Sequence, residues 1–283
     1  MAKVINGNLN QVNTVSRPKA FDKRIHEIDF VRGLLMCLVL LDHILNNIMI
    51  YFKGWGPGFR EVGLFVQDFY WNGALRSIIQ PLCLMAFCLV SGISTAFSRN
   101  NWKRSGLMII VWVAVMIVTS VFGPVFGFYP IYFNIIGVLA WSSLIYCFFQ
   151  ERSWKSSLGI ALISMLVTLC VLNPILSDLF YNAWNPFEIN YSSPYAEMFV
   201  PFVFKPMMFK QGDYMSLFPY MMFFFIGVIM TNFIYKDKKS HVKRRFEWER
   251  PFCFIGRHSL IIYLAHQVVL LPIFMILNIF LKV

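Results

Sequence analysis

The stretch RGLLMCLVLLDHI, Arg32–Ile44, begins with a basic residue and continues through nine residues that are apolar except for Gly33. Asp42 and His43 then interrupt the run, although the sequence stays mostly apolar as far as Phe52. A segment of about 20 mostly apolar residues is long enough to cross a bilayer as a helix. Ionisable side chains within such a segment are costly to bury and usually serve a function. The stretch therefore predicts a membrane helix that carries functional groups.

The rest of the chain also has the composition of a membrane protein. Of its 283 residues, 58% are hydrophobic and 14% are charged, whereas soluble domains contain about 25% charged residues. A net charge of +11 is compatible with nucleic-acid binding. However, the basic residues cluster in short segments between apolar runs, as membrane topology predicts. We therefore expect no nucleic-acid partner.

Hydropathy predicts an all-α fold, a polytopic membrane helical bundle with about seven transmembrane helices. Residues 1–27 form a polar tail, and residues 28–283 form a single transmembrane domain. The predicted spans are Ile28–Phe52, Leu75–Phe97, Gly106–Gly123, Ile131–Phe149, Leu158–Leu176, Tyr214–Tyr235 and Ser259–Leu281.

The distribution of basic residues orients these spans. Most of the 25 Lys and Arg residues lie on one side of the membrane if the N-terminus is cytoplasmic, which satisfies the positive-inside rule. The C-terminus then faces outward. The longest outer segment is Ser177–Asp213, and two interpretations of it stay open. It is either a re-entrant piece that covers an outer cavity or a loop that lies on the bilayer surface.

The cysteines do not predict a metal site. Cys83 and Cys88 are five positions apart, which is not a metal-ligand spacing. All six lie in or beside apolar runs, and we interpret them as small core residues. They are Cys37, Cys83, Cys88, Cys147, Cys170 and Cys253.

Arg32 and His43 share one face of the first helix. Eleven residues correspond to about 16.5 Å of rise and to three turns plus about 20°. Asp29 lies one turn before Arg32 on the same side. An arginine at the mouth of a cavity can bind phosphate, and a buried neutral histidine can accept a proton and return it. The stripe fits a long donor such as acyl-coenzyme A, with phosphates at one end and a thioester at the other.

Simpler interpretations of the same residues stay open. Arg32 could be a membrane anchor, and His43 could form a hydrogen bond to a neighbouring helix and do nothing more. Asp42 lies about 100° from His43 around the helix. It therefore either orients His43 through a contact at the edge of the imidazole ring, contacts the acceptor, or pairs with another helix.

Three segments resemble a known family. RIHEIDFVRG (Arg24–Gly33), with His43 ten residues beyond it, resembles the first span of bacterial membrane proteins related to heparan-alpha-glucosaminide N-acetyltransferase. The spacing of Arg32 and His43 also resembles the broader acyltransferase-three family. LVSGISTAFSRNNWKR (Leu89–Arg104) is similar to the end of the second span of the first family, and IGRHSLIIYLAHQ (Ile255–Gln267) to the closing helix of both.

The resemblance implies transfer of an acyl group, usually acetyl, from cytoplasmic acetyl-CoA to an acceptor on the far side of the membrane. The acceptor would be a sugar hydroxyl or amine. The chain is shorter than the eukaryotic enzyme and lacks its long luminal region, so the glucosamine substrate is not carried over.

Further candidate residues follow from their positions beside the spans. A basic collar for the donor phosphates would comprise Arg32, Arg99, Arg104, Arg257 and His258, with Asp29 as an acidic residue of the same donor site. The positive-inside rule explains the same basic residues without a ligand. Asn46, Arg76 and His266 are candidates for acceptor binding, although Arg76 could be an anchor and His266 a packing residue.

We therefore predict a membrane-bound O- or N-acyltransferase that uses acetyl-CoA and no metal, with His43 and Asp42 as catalytic residues. Its expected partners are membrane lipids and an extracytoplasmic glycan or lipid-linked sugar, and its expected location is the bacterial plasma membrane. A homo-oligomer is left open. One rival hypothesis is a proton-coupled transporter or flippase that uses Asp42, His43 and His266. Another is a non-catalytic subunit in which the polar stripe is an assembly face.

Overall fold

The computed structural model describes residues 25–126, 128–150, 153–172, 212–213, 215–236, 240–242 and 246–281. Within these residues the secondary structure is helical and contains no strand. The predicted all-α membrane bundle is therefore confirmed. The polar tail falls outside the described residues up to position 24, and the long outer segment falls outside them except for Gly212 and Asp213.

The helices follow the chain in a simple order. A short 3₁₀ turn (Phe52–Gly54) follows the first α-helix, and a π-helix (Val66–Trp71) follows the second. The α-helices of the described residues are α1 (His26–Tyr51), α2 (Pro57–Phe65), α3 (Ala74–Ala96), α4 (Asn101–Phe126), α5 (Ile135–Phe149), α6 (Trp154–Leu172), α7 (Tyr220–Phe233), α8 (Glu249–Arg257) and α9 (Ser259–Leu281).

Each of the seven predicted spans contains a helix. Four helices are long and apolar enough to cross a membrane: His26–Gly54, Ala74–Ala96, Asn101–Val125 and Ser259–Leu281. The apolar helices Ile135–Phe149, Trp154–Leu169 and Tyr220–Phe233 are shorter. Two of these begin later than predicted for local reasons. The Asn134 side chain accepts hydrogen bonds from the amides of Ile136 and Gly137 and so caps α5, and α7 begins directly after Pro219.

Helix α1 crosses α8 at a close contact between backbones. A Cβ atom on Gly33 would lie 1.8 Å from the carbonyl oxygen of Phe252, and one on Gly256 would lie 1.9 Å from the carbonyl oxygen of Asp29. Only glycine permits this approach, which is typical of membrane helix interfaces. The crossing brings Arg257 of α8 beside Asp29 of α1.

Helix α3 crosses α7 in the same way. A Cβ atom on Gly92 would lie 1.9 Å from the carbonyl oxygen of Phe224, and one on Gly227 would lie 2.0 Å from that of Leu89. Phe224 is fully buried here. The two crossings fix α1, α3, α7 and α8 around the core.

The two ends of the helical bundle can be distinguished by the contacts between residues at each end. Arg32 on α1 contacts Ser94 on α3, and Asp42 contacts Arg76, so α1 and α3 run antiparallel. Trp55 donates a hydrogen bond of 2.8 Å to Asn278, so the end of α9 lies beside the end of α1. We call the end that contains His26 the proximal end and the end that contains Trp55 the distal end.

Candidate active site

One cavity of about 320 Å³ joins residues near the two ends of the bundle. Its walls come from α1, α3, α4, α5, α8 and α9, with Tyr70 from the π-helix and Asp213 from the segment before α7. Apolar side chains such as Phe87, Leu107 and Leu139 line its middle. A volume above about 300 Å³, mostly apolar walls and a few polar groups are typical of small-molecule sites.

Three arginines meet at the proximal end of the cavity. Arg32, Arg104 and Arg257 come from α1, α4 and α8, and all three line the cavity; we call them the arginine cluster. Arg257 donates a hydrogen bond of 3.0 Å to Asp29, which also lies 4.0 Å from Arg32. Three guanidinium groups therefore lie together at this end of the cavity. Such a cluster suits phosphate.

Ser94 extends the proximal site. Its hydroxyl accepts a short hydrogen bond from Arg32 and donates one of 2.8 Å to the carbonyl of Val90. The charge of Arg104 interacts with that of Arg32, and the described residues provide no hydrogen-bond acceptor for its guanidinium group. Arg104 is therefore the member of the cluster that is held least by protein groups.

His43 lines the cavity beyond its apolar middle. Its Nδ1 lies 3.0 Å from the carbonyl oxygen of Val39, and since a carbonyl can only accept, Nδ1 carries the proton. Nε2 of the neutral ring is then unprotonated and able to act as a base or nucleophile. The ring meets His266 edge to face at 4.5 Å between centroids.

His266 is buried and does not line the cavity itself. Its Nδ1 forms a short hydrogen bond to the carbonyl of Tyr263. Its Nε2 is buried and has no hydrogen-bond partner among the described residues. His266 therefore forms a wall behind His43, one turn of α9 beyond Tyr263.

Asp42 pairs with groups on other elements. Its Oδ1 accepts hydrogen bonds of 2.9 Å from the Tyr70 hydroxyl and 3.0 Å from Nε of Arg76. Its Oδ2 lies 4.0 Å from Nδ1 of His43, beyond hydrogen-bond distance. Arg76 also stacks over the ring of Trp71 at 3.7 Å. Of the three roles that the sequence left open for Asp42, pairing with another helix is the one observed.

A second carboxylate faces the distal part of the cavity. Asp213 accepts a hydrogen bond of 2.8 Å from the Tyr263 hydroxyl, and Asn134 donates a longer one of 3.4 Å to the same hydroxyl. Asp213 is close enough to His43 for their charges to interact. The distal site therefore contains an unprotonated imidazole nitrogen and a nearby acid.

Three residues predicted for the site lie away from it. Arg99 is exposed after α3, and His258 is exposed with its Nδ1 bonded to the carbonyl of Phe254 at 3.0 Å. Asn46 is partly buried on α1 but does not line the cavity. In the described part of the chain, no group of three or more His, Cys, Asp or Glu side chains could hold a metal ion.

Sequence reasoning did not identify Tyr70, Ser94 or Asp213 as site residues. Tyr70 belongs to a π-helix, and π-helical turns often mark functional sites, but no pattern in the sequence predicted that turn. Asp213 was treated as the end of a loop. Gly212-Asp213 is a turn-forming pair, and this was the one local signal available.

Comparison with known protein families gives a match over most of the chain. A family model described as "Heparan-alpha-glucosaminide N-acetyltransferase, catalytic" matches residues 24–268. No curated protein and no solved structure matches the chain. The matched range contains all the cavity residues named above.

Proposed function

Because the chain belongs to the heparan-alpha-glucosaminide N-acetyltransferase catalytic family, we propose that it transfers an acetyl group from acetyl-CoA to a sugar or glycan hydroxyl or amine. Membership in the family makes the chain a membrane acyltransferase. In our proposal the donor enters from the cytoplasm at the proximal end, and the acceptor enters from the opposite side of the membrane.

The observation that supports this proposal best is the continuity of the cavity. It joins the arginine cluster to His43 through an apolar middle, and the distance along α1 from Arg32 to His43 is about 16.5 Å. Acetyl-CoA has a matching order of groups, since charged phosphates, a slender arm and a reactive thioester follow one another. The arginines would bind the phosphates, and the thioester would then lie beside His43.

His43 would perform the reaction at Nε2. That nitrogen could accept the proton of the acceptor while the acceptor attacks the thioester, or it could attack the thioester itself and hold the acetyl group. In both cases the bond from Nδ1 to the Val39 carbonyl keeps the reactive nitrogen unprotonated. His266 would restrict the rotation of the His43 ring.

The test uses purified protein in lipid nanodiscs with acetyl-CoA labelled in the acetyl group and a mixture of amino sugars and glycosides. His43→Ala is expected to lower thioester cleavage by about 100-fold or more, the usual contribution of a general base or nucleophile. Arg104→Gln is expected to raise KM for acetyl-CoA about tenfold or more, since a hydrogen bond to a charged group contributes about 1.5–3 kcal/mol.

The matched controls are residues of the same types outside the cavity. His258→Ala and Arg99→Gln should leave kcat and KM near the wild-type values, because both side chains are exposed. Wild-type turnover in His43→Ala would remove the basis of the proposed mechanism.

The alternative of a proton-coupled transporter has one observation in its favour, the contact between His43 and His266. Asp42, which it needs as a third proton carrier, is bonded to Tyr70 and Arg76. Proton-coupled uptake of a solute into proteoliposomes without acetyl-CoA would support the transporter.

The cellular setting follows from the same proposal. Apolar helices and the family make the chain an integral membrane protein. We propose the bacterial plasma membrane as its location and a cell-envelope glycan or lipid-linked sugar as its acceptor.

A further inference from the structure

We infer that Asp213 is the base that deprotonates the acceptor, so that His43 is free to carry the acetyl group from donor to acceptor. This inference rests on the proposed acyl transfer by the covalent route at His43, and it adds a second catalytic residue.

The backbone holds Asp213 firmly over the cavity. Asp213 has a φ of +46°, a left-handed conformation that aspartate and asparagine adopt more readily than most other residues. The amide of Gly212 donates a hydrogen bond of 3.0 Å to the carbonyl of Pro130, and the amide of Met215 donates one of 3.1 Å to that of Phe133. These two hydrogen bonds fix the backbone on either side of Asp213.

One oxygen of the Asp213 carboxylate forms a hydrogen bond with the protein, and the other is available to a ligand. Its Oδ2 is bonded to the Tyr263 hydroxyl, and among the described residues no hydrogen bond to Oδ1 is observed. The side chain is exposed, and Asp213 is one of the residues that line the cavity. An acceptor hydroxyl or amine in the cavity could therefore reach Oδ1.

The other acids near the cavity are engaged by arginines. Asp42 is bonded to Arg76 and Tyr70, and Asp29 is bonded to Arg257. Both carboxylates are therefore already held by donor groups of the protein.

The reaction then has two steps. In the first step Nε2 of neutral His43 attacks the thioester carbonyl, the bond from carbon to sulfur breaks, and CoA leaves as a thiolate, which gives an acetyl-imidazolium. In the second step the acceptor oxygen or nitrogen attacks the acetyl carbon while Asp213 takes its proton. The bond from carbon to Nε2 breaks, neutral His43 is restored, and protonated Asp213 returns its proton to water.

The experiment separates the two steps without requiring the natural acceptor. Wild type and Asp213→Asn are mixed with labelled acetyl-CoA, and CoA release, labelled protein and free acetate are followed in time. Asp213→Asn is expected to release one equivalent of CoA at the wild-type rate, to accumulate label on the protein, and to release acetate about 100-fold more slowly. Hydroxylamine attacks without a base and should discharge both proteins at similar rates, with acetohydroxamate as the product.

Control variants test whether slow acetate release is specific to the loss of the Asp213 carboxylate. Asp68→Asn removes an exposed carboxylate on the π-helix outside the cavity and should behave as wild type. The double variant with His43→Ala should accumulate no label. Normal CoA release by Asp213→Asn would itself show that the variant is folded.

Three outcomes would overturn the inference: wild-type acetate release by Asp213→Asn, equal loss of CoA release and acetate release, or no discharge by hydroxylamine. If wild type cleaves the thioester only when a sugar is present, the covalent intermediate is wrong, but acyl transfer stands. If wild type cleaves no thioester even with the mixed sugars, the proposed function itself fails.

Discussion

Asp42 lines the cavity and its catalytic role stays a prediction, but its hydrogen bonds also give it a structural role. It precedes His43, yet its carboxylate bonds to Arg76 and Tyr70. Arg76 was expected to meet the acceptor. In the structure it pairs with Asp42 and stacks on Trp71. We therefore expect the pair of Asp42 and Arg76 to hold the π-helix against α1 and α3, so that Tyr70 stays in the cavity wall.

This role predicts a non-additive stability effect. Asp42→Ala leaves the mostly buried Arg76 guanidinium uncompensated, and the loss of a partner from such a pair costs about 3 kcal/mol or more. The double variant with Arg76→Leu leaves no unpaired charge. It should be more stable than Asp42→Ala, as measured by thermal unfolding of the detergent-solubilised protein.

The control for this cycle is the exposed pair of Arg250 and Glu247. Exposed pairs contribute about 0–1 kcal/mol, so the same cycle there should be nearly additive. Additive losses at Asp42 and Arg76 would instead mean that the two side chains stabilise the protein independently.

At the residue scale, helical periodicity predicted correctly that Arg32 and His43 face one cavity, because both lie on one helix and the geometry of a helix is known. The tertiary partners were not predictable. Asp213 is 50 residues from Tyr263 in sequence, and no local rule relates them. All four residues Arg99, Arg104, Arg257 and His258 were equally good candidates for the donor site in the sequence. A basic residue at a helix end can point into the cavity or away from it, and the sequence does not show which.

At the element scale, glycines decide how closely the helices approach. The backbone contacts at Gly33 and Gly92 leave no room for a methyl group. Gly33→Ala and Gly92→Ala should each destabilise the protein by roughly 1–3 kcal/mol, the usual cost of overpacking. Gly33→Ala should also raise KM for acetyl-CoA, because the crossing of α1 and α8 sets the distance between Asp29 and Arg257.

Gly106→Ala and Gly159→Ala provide matched controls within α4 and α6. A Cβ atom at either position would meet no atom within 4 Å, and alanine is favoured over glycine in a helix by about 1 kcal/mol. Both variants should melt at or above the wild-type temperature. Equal losses of stability in all four variants would contradict the explanation by backbone contact, because Gly106 and Gly159 make no such contact.

Hydropathy predicted the number and order of the apolar helices because long apolar runs are a strong signal. It did not predict α2, the π-helix or α8. These elements are short, and all three lie outside the predicted spans. The helical form of α8 depends on packing against α1, with Glu249 bonded to His26 at 2.5 Å. Packing of this kind is not encoded in local periodicity.

At the scale of the whole molecule, the proposed reaction requires the cavity to bind a different substrate at each end. Acyl-CoA is made and used in the cytoplasm, so the arginine cluster has to face that side if it binds the donor. The basic residues near the proximal end agree with the positive-inside rule. The proposed direction of transfer therefore depends on the orientation of the bundle.

Orientation can be measured with cysteines at exposed positions near the two ends. Arg99 lies near the proximal end and Asp68 near the distal end, and both are exposed. In intact cells a membrane-impermeant maleimide should label Asp68→Cys, whereas Arg99→Cys should react only after permeabilisation. Wild type measures the background, which should be low, because four of the native cysteines in the described residues are buried and Cys37 is half-buried. The reverse pattern would place the arginine cluster where no acyl-CoA is present. In that case the direction of transfer would be wrong, even though the family and the reaction at His43 would stand.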